Sequence, residues 1–198
     1  MIYRIDVGVC PDRATQDPHA AGVQQQVHEL GFDAGRVDAW RIFYIEAPGL
    51  AVDQLDRLRR ELLADPIVEH ATLISEPPPT NGGSWVEVHL KPGVMDPVAA
   101  STEMAIRDMG MEVTQVRTGR AYRFSRSLPV EQLRSIAQRV LANEVIESIH
   151  TQPVLAEQFP SLQPYRLKLQ HVPIRDLDEE SLKRLSRDGH LFLSTDEM

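Results

Sequence analysis

The sequence predicts an α+β protein made of two packed copies of one β-α-β(β)-α-β unit. Three observations predict it: an internal repeat, a strand-like alternation opening each copy, and a matched pair of helix starts. Asp17-Pro18 and Asp96-Pro97 each open a helical pattern, and they lie 79 residues apart. At that offset Val7 and Val9 fall on Val86 and Val88, Val23, Val27 and Leu30 on Thr102, Ile106 and Met109, Gly31 on Gly110, and Arg41 on Arg120. After a slip to 78, Leu55, Leu58, Leu62 and Leu63 match Leu133, Ile136, Val140 and Leu141, and Glu69 matches Glu147. Two copies are too few for a solenoid, so the repeat reads as a fused dimer of a small domain.

Each copy opens with a strand in which Tyr3, Ile5, Val7 and Val9, or Val86, Val88 and Leu90, alternate with polar or small residues. Asp17 and Asp96 are placed as helix N-caps, with Pro18 and Pro97 at the first helical position, where a missing N–H costs nothing. The helix of the first copy presents Val23, Val27 and Leu30 on one face, and Gly31 or Gly110 can take the left-handed conformation that stops it. An extended stretch follows, 36–47 and 112–125, as one long strand or two short ones. A second amphipathic helix covers 52–64 and 130–142, and a last strand 68–74 and 146–151. The order points to a ferredoxin-like sandwich with helices on one face of an antiparallel sheet. Pairing the copies hides sheet edges that one copy alone would expose.

The predicted boundaries are 1–74 for a degenerate first repeat, 75–84 for a linker, 85–153 for the second repeat and 154–198 for a tail. Three prolines followed by Gly82-Gly83 make the linker a stiff spacer with a flexible end, and Gly82-Gly83 lacks the Lys and Ser/Thr of a phosphate loop. In the tail, Tyr165–Gln170 reads as a strand and Asp178–Leu185 as a short helix with acids in its first turn. Ser194 with Glu197 forms a helix-starting capping box just before the end, so the chain is expected to continue in a longer protein.

A net charge of −8 argues against nucleic acid as a partner. No apolar run is long enough to cross a membrane, and the first residues go straight into a strand, so no signal peptide and a cytoplasmic location are expected. The single cysteine, Cys10, reads as a small strand-end core residue. No histidine shows metal-ligand spacing; His89 and His150 read as strand surface or packing between the repeats. Met104, Met109 and Met111 read as core filler, while Met95, Trp40 and Trp85 are candidate exposed anchors. No catalytic, cofactor or metal residue is predicted.

The second repeat carries Leu90-Lys91-Pro92-Gly93-Val94-Met95-Asp96-Pro97, then Val116-Arg117-Thr118-Gly119-Arg120, then Leu141-Ala142-Asn143-Glu144-Val145-Ile146-Glu147. In that order and spacing the set resembles the PurS subunit of phosphoribosylformylglycinamidine synthase and the equivalent N-terminal domain of the single-chain enzyme. The tail from Ile174 to Leu191 looks like the linker into the synthetase subunit, PurL. The resemblance implies a non-catalytic bridge in de novo purine biosynthesis, joining a PurQ-like glutaminase to a PurL-like synthetase so that ammonia can pass. The complete enzyme would use ATP, Mg and glutamine. It also implies a partner surface at Lys91, Arg117, Gly119 and Arg120. In the first repeat Asp12 stands at the offset of Lys91 and Asp38-Ala39-Trp40-Arg41 replaces Arg117–Arg120, so the expected bridge is asymmetric. The alternative reading is a ferredoxin-like regulatory module that binds a small metabolite between its repeats; an independent enzyme ranks third.

Overall fold

A computed structural model describes residues 1–159, 169 and 171–198. The elements run β1 (Ile2–Val9), α1 (Pro18–Glu29), β2 (Val37–Glu46), α2 (Val52–Arg57), β3 (Glu69–Ile74), β4 (Ser84–Leu90), α3 (Pro97–Asp108), β5 (Gln115–Phe124), α4 (Val130–Ile136), β6 (Glu147–His150) and α5 (Glu179–Asp188). A short 3-10 turn, Pro11–Gln16, precedes α1, and wider π-helical turns, Leu58–Leu63 and Ala137–Leu141, extend α2 and α4. The central extended stretch is therefore one unbroken strand in each half. Six strands form one antiparallel sheet in the order β3-β1-β2-β5-β4-β6.

Local chemistry accounts for the first helix of each half. Asp17 accepts from the backbone N–H of His19 and Ala20 at 2.9 and 3.1 Å, and Asp96 accepts from Ala99 N at 2.9 Å. Both helices end in the same left-handed turn. Gly31 (φ 84°) and Gly110 (φ 78°) donate to the carbonyls of His28 and Arg107, and Phe32 and Met111 donate back to Val27 and Ile106. Phe32 and Met111 then pack into the same clusters as the residues they bond, completing the C-terminal cap.

The register places Arg41 opposite Arg120, Val37 opposite Phe124 and Ile45 opposite Val116, so it is unchanged when residues are exchanged across the 79-residue offset. In β1 and β4 the correspondence differs from the sequence reading. Val7 pairs with Arg41 and Val88 pairs with Arg120, so Val7 corresponds to Val88, and Ile5 to Val86. The β1–α1 connection holds two more residues than β4–α3, and ungapped alignment from Asp17 and Asp96 carries that insertion into the strands. Cys10 N bonds Val68 O as Lys91 N bonds Ile146 O, both at 2.9 Å, so Cys10, not Asp12, holds the place of Lys91.

All four helices of the sheet lie on one face, and they exchange partners. Ala20, Val23 and Val27 of α1 share a cluster with Val86, Val88, Tyr122 and Phe124 and with Leu133, Ile136 and Leu141. Ala99 and Ile106 of α3 share the other with Ile5, Val7, Phe43, Ile45, Leu58 and Leu63. Each half thus lends its first helix to a core shared with the other. Met104 faces out (65% exposed), because the buried stripe of α3 is Ala99, Thr102 and Ile106; of the three methionines only Met111 is fully buried.

The chain divides into two compact units, Met1–Leu162 and Gln163–Met198. Residues 154–159, assigned to the tail by sequence, belong to the first: Ala156 and Phe159 pack against the cluster of Ile42, Tyr44, Trp85 and Ala121. In the second unit Asp178 caps α5 by accepting from Ser181 N at 2.9 Å, and Glu197 accepts from Ser194 N and Oγ at 2.8 and 2.7 Å. The strand predicted over Tyr165–Gln170 falls, apart from Leu169, outside the described residues.

Candidate functional site

The sheet face away from the helices is polar, and alternation alone would leave it to solvent. Its centre is buried instead. Arg4, 2% exposed, makes two bonds to Asp6 at 2.8 and 2.9 Å and reaches Glu87, 0% exposed, at 2.7 Å. Trp85 Nε1 donates to Glu87 at 2.9 Å, and His89 Nε2 lies 3.1 Å from its other oxygen. The backbone of Val154 completes the cluster. Val154 O accepts from Arg4 Nη1 at 2.6 Å and from Tyr44 Oη at 2.8 Å, and Val154 N donates to Glu87 at 3.2 Å. A buried ion cluster is tolerable only when each charge is paired and hydrogen-bonded, as here.

The two carboxylates share one guanidinium but respond in opposite directions. Burial pushes Asp6 above its ordinary value against the pull of Arg4. Burial also pushes Glu87 up, yet the bond from His89, the charge and bond of Arg4 and the indole of Trp85 together hold it below its ordinary value. The difference follows from donor count. Burial would lower Arg4, but Asp6 and Glu87 outweigh it and raise it, so it stays cationic. Among the described residues no three His, Cys, Asp or Glu side chains converge as a metal site, and in this cluster the guanidinium already occupies the cation position.

Beside the cluster the two halves place a ring and a glycine on opposite strands. Gly8 of β1 pairs with Trp40 of β2, and a Cβ on Gly8 would lie 2.5 Å from the indole. At the matching position His89 of β4 pairs with Gly119 of β5, and a Cβ there would lie 2.8 Å from the imidazole. Trp40 stacks on Trp85 with centroids 5.4 Å apart; His89 lies 4.9 Å from His150 and edge-on to Tyr44. Next to His89 opens a groove of about 850 Å³, walled by the Lys91–Val94 turn, the start of β5 and residues 154–159.

Residues 84–154 match the family model described as PurS, phosphoribosylformylglycinamidine (FGAM) synthase. This segment is a PurS-like domain. It contains β4 to β6, most of the groove walls and, at its end, Val154, whereas Arg4, Asp6 and Tyr44 lie outside the match. No curated protein matches the chain. The match covers 71 of the 198 residues, and the likeness to FGAM synthase is that of this segment. No helix among the described residues is long and apolar enough to cross a membrane.

Within the PurS-like domain the sequence-selected residues separate. Lys91 Nζ donates to the carbonyl of Glu144, and the Arg117 guanidinium lies 5.3 Å from the ring centre of Phe159; both line the groove. Gly119 serves the close approach of His89. Arg120 bonds Leu141 O at 3.0 Å and Glu147 at 2.7 Å, and Arg41 makes the same two kinds of contact with Leu63 O and Glu69. That pairing in both halves marks Arg120 as a tie between sheet and helix end. Asp96 is more than a cap: its second oxygen accepts from Thr118 N and Oγ1, both at 2.9 Å, fixing α3 to β5. Pro18 and Pro97 open α1 and α3.

Three further expectations change. Trp85 is buried at 3% exposure and Trp40 is stacked on it, so of the three candidate anchors Met95 alone, at 83%, is well exposed. Cys10 is half-exposed just beyond β1 and lies outside the core. The sequence reading missed Arg4, Asp6 and Glu87. Their signal was opposite charges spaced i, i+2 on one strand face, in line with Trp85 and His89.

Proposed function

We propose that this chain is a non-catalytic bridging component of FGAM synthase, built as an internal pseudo-dimer of two PurS-like repeats. The observation that carries the reading is the PurS match over 84–154 set in a sheet whose β2·β5 register repeats about Arg41 and Arg120. In this reading 1–74 is the degenerate copy. Fusing two copies makes pairing independent of concentration, which suits a scaffold. The partners are a PurQ-like glutaminase and a PurL-like synthetase, and the ATP, Mg and glutamine are used by those parts. The scaffold aligns them so that ammonia passes without meeting bulk water, where protonation would remove its nucleophilic lone pair.

The bridge is asymmetric. Lys91 and Arg117 are in the second half, where the first half has Cys10 and Asp38. The test is reconstitution of the chain with the glutaminase and synthetase in the presence of glutamine and nucleotide. Co-purification of all three is expected, together with glutamine-dependent amidine formation that falls when the chain is left out while ammonia-dependent formation persists. Full glutamine-dependent turnover without the chain would sink the reading. Charge reversal at Lys91 and Arg117 should weaken assembly more than change at Cys10 and Asp38; equal losses would count against asymmetry.

A further inference from the structure

The two repeats end differently. After β3 the chain leaves the sheet, and Ser75, Glu76 and Pro77 are exposed. After β6 it turns back over the polar face as a strap. Val154, Ala156 and Phe159 are half-buried against that face, while Leu155, Glu157 and Gln158 are exposed.

The strap is held as a peptide ligand is held, by backbone bonds that orient it and side chains that seat it. Both halves of the sheet bond the backbone of Val154. Arg4 Nη1 and Tyr44 Oη of the first half donate to its carbonyl at 2.6 and 2.8 Å, and its N–H donates to Glu87 of the second at 3.2 Å. Ala156 and Phe159 then pack on Ile42, Tyr44, Trp85 and Ala121, with the Arg117 guanidinium 5.3 Å from the Phe159 ring centre. No backbone–backbone hydrogen bond joins 152–159 to another described residue.

What lies beneath stays paired when the strap lifts. Asp6 keeps both bonds from Arg4, and Glu87 keeps Arg4, Trp85 and His89. No buried charge is stranded, which is the outcome that makes breaking an ion cluster costly. The groups that lose Val154 are then open to water. A segment fastened this way can open without global unfolding.

We propose that the polar face of the sheet is a binding site for an extended peptide, filled in cis by residues 153–159, and that this strap leaves and reseats while the sheet stays folded. The site selects a free backbone N–H at the first inward position, a small residue two positions on, and an aromatic ring three further. The tether holds the strap at an effective concentration on the order of mM, so the same segment added from outside competes poorly until the strap's own contacts are weakened.

The test uses the isolated full chain without glutaminase or synthetase, so its outcome is independent of the bridging role. In the unaltered chain, native-state hydrogen exchange should show the Val154 amide opening locally and independently of denaturant, about a hundredfold or more faster than amides of β2 and β5. The second measurement follows the anisotropy of a fluorescein-labelled, end-blocked peptide of residues Gln152–Phe159. It should bind saturably to chains carrying Phe159→Ala or Ala156→Asp, about tenfold or more tighter than to the unaltered chain. A peptide N-methylated at its valine, or carrying Ala in place of its Phe, should lose that binding. Exchange of Val154 only together with β2 and β5 would overturn the proposal. So would no saturable binding to either variant up to about 1 mM peptide, the scale of the tether. Equal binding to the unaltered chain, or equal binding of the N-methylated peptide, would also overturn it.

Discussion

In the first half of the sheet the ring at the shared position comes from β2, as Trp40, and the glycine from β1, as Gly8; in the second half the ring is His89 of β4 and the glycine Gly119 of β5. Both arrangements fit one ring between neighbouring strands, and both keep the paired arginines, Arg41 with Glu69 and Arg120 with Glu147, at 2.7 Å. What changes is the space beside the ring, a small depression where Asp38 pairs with Arg36 and Arg123 in one half and a larger groove lined by Lys91 and Arg117 in the other. The two halves thus agree where backbone geometry demands it and diverge on the face away from the helices.

The hardest way to break the comparison is Arg4→Met. It removes the one cation between Asp6 and Glu87 and should cost about 3–5 kcal/mol, because two buried carboxylates lose their partner. Denaturant unfolding checks this, and adding Asp6→Asn should recover part of the loss. Ile106→Ala comes next, at about 2–5 kcal/mol. Ile106 is 0% exposed and packs among first-half residues, so hydrogen exchange should show protection falling in β1 and β2 as well as β5. A loss confined to the second half would contradict the shared cores.

Gly8→Ala and Gly119→Ala sharpen the ring exchange. Each should cost about 1–3 kcal/mol by overpacking, with Gly8 the worse because its contact is with the larger, stacked indole. Thermal unfolding of the two variants, and of Gly119→Ala with His89→Gly, checks the pairing; the double change should be milder than the sum. The smallest effect is in pH. Burial first, then the charge on His89, holds His150 below its ordinary 6.5. The unfolded chain therefore binds more protons than the native one below about 6.5, and stability falls as the pH drops through that value. His150→Thr, the first-half residue Thr72 at that position, should flatten this part of the curve. Asp6 is raised by burial and Glu87 is lowered by its bonds, so their contributions carry opposite signs.

Local signals were legible in the sequence. Asp-Pro starts, left-handed glycines and apolar spacing each depend on neighbours within a turn, and they located both helix pairs and the strands. The two-residue insertion before α1 was not legible, because Pro11–Gln16 carries no apolar period that an ungapped comparison could exploit. Nor was the burial of the second sheet face. Alternation separates polar from apolar sides, but it cannot tell whether a later segment, here 154–159, comes back to cover the polar one. Lys91 and Arg117 were selected from the PurS resemblance, and their position across one groove required coordinates. Met104 was misplaced because it was grouped with Met109 and Met111 instead of being set on the Ala99–Thr102–Ile106 stripe.

The exchange of α1 and α3 between the cores makes the linker at 75–83 the sole covalent join of two pieces that complete each other. A break there should leave fragments that refold only as a mixture, each supplying the layer the other lacks. Two intact molecules whose linkers failed to turn back would meet the same complementary surfaces in one another. Crowded refolding would then yield reciprocally swapped pairs, a hazard absent from proteins whose halves each close on themselves.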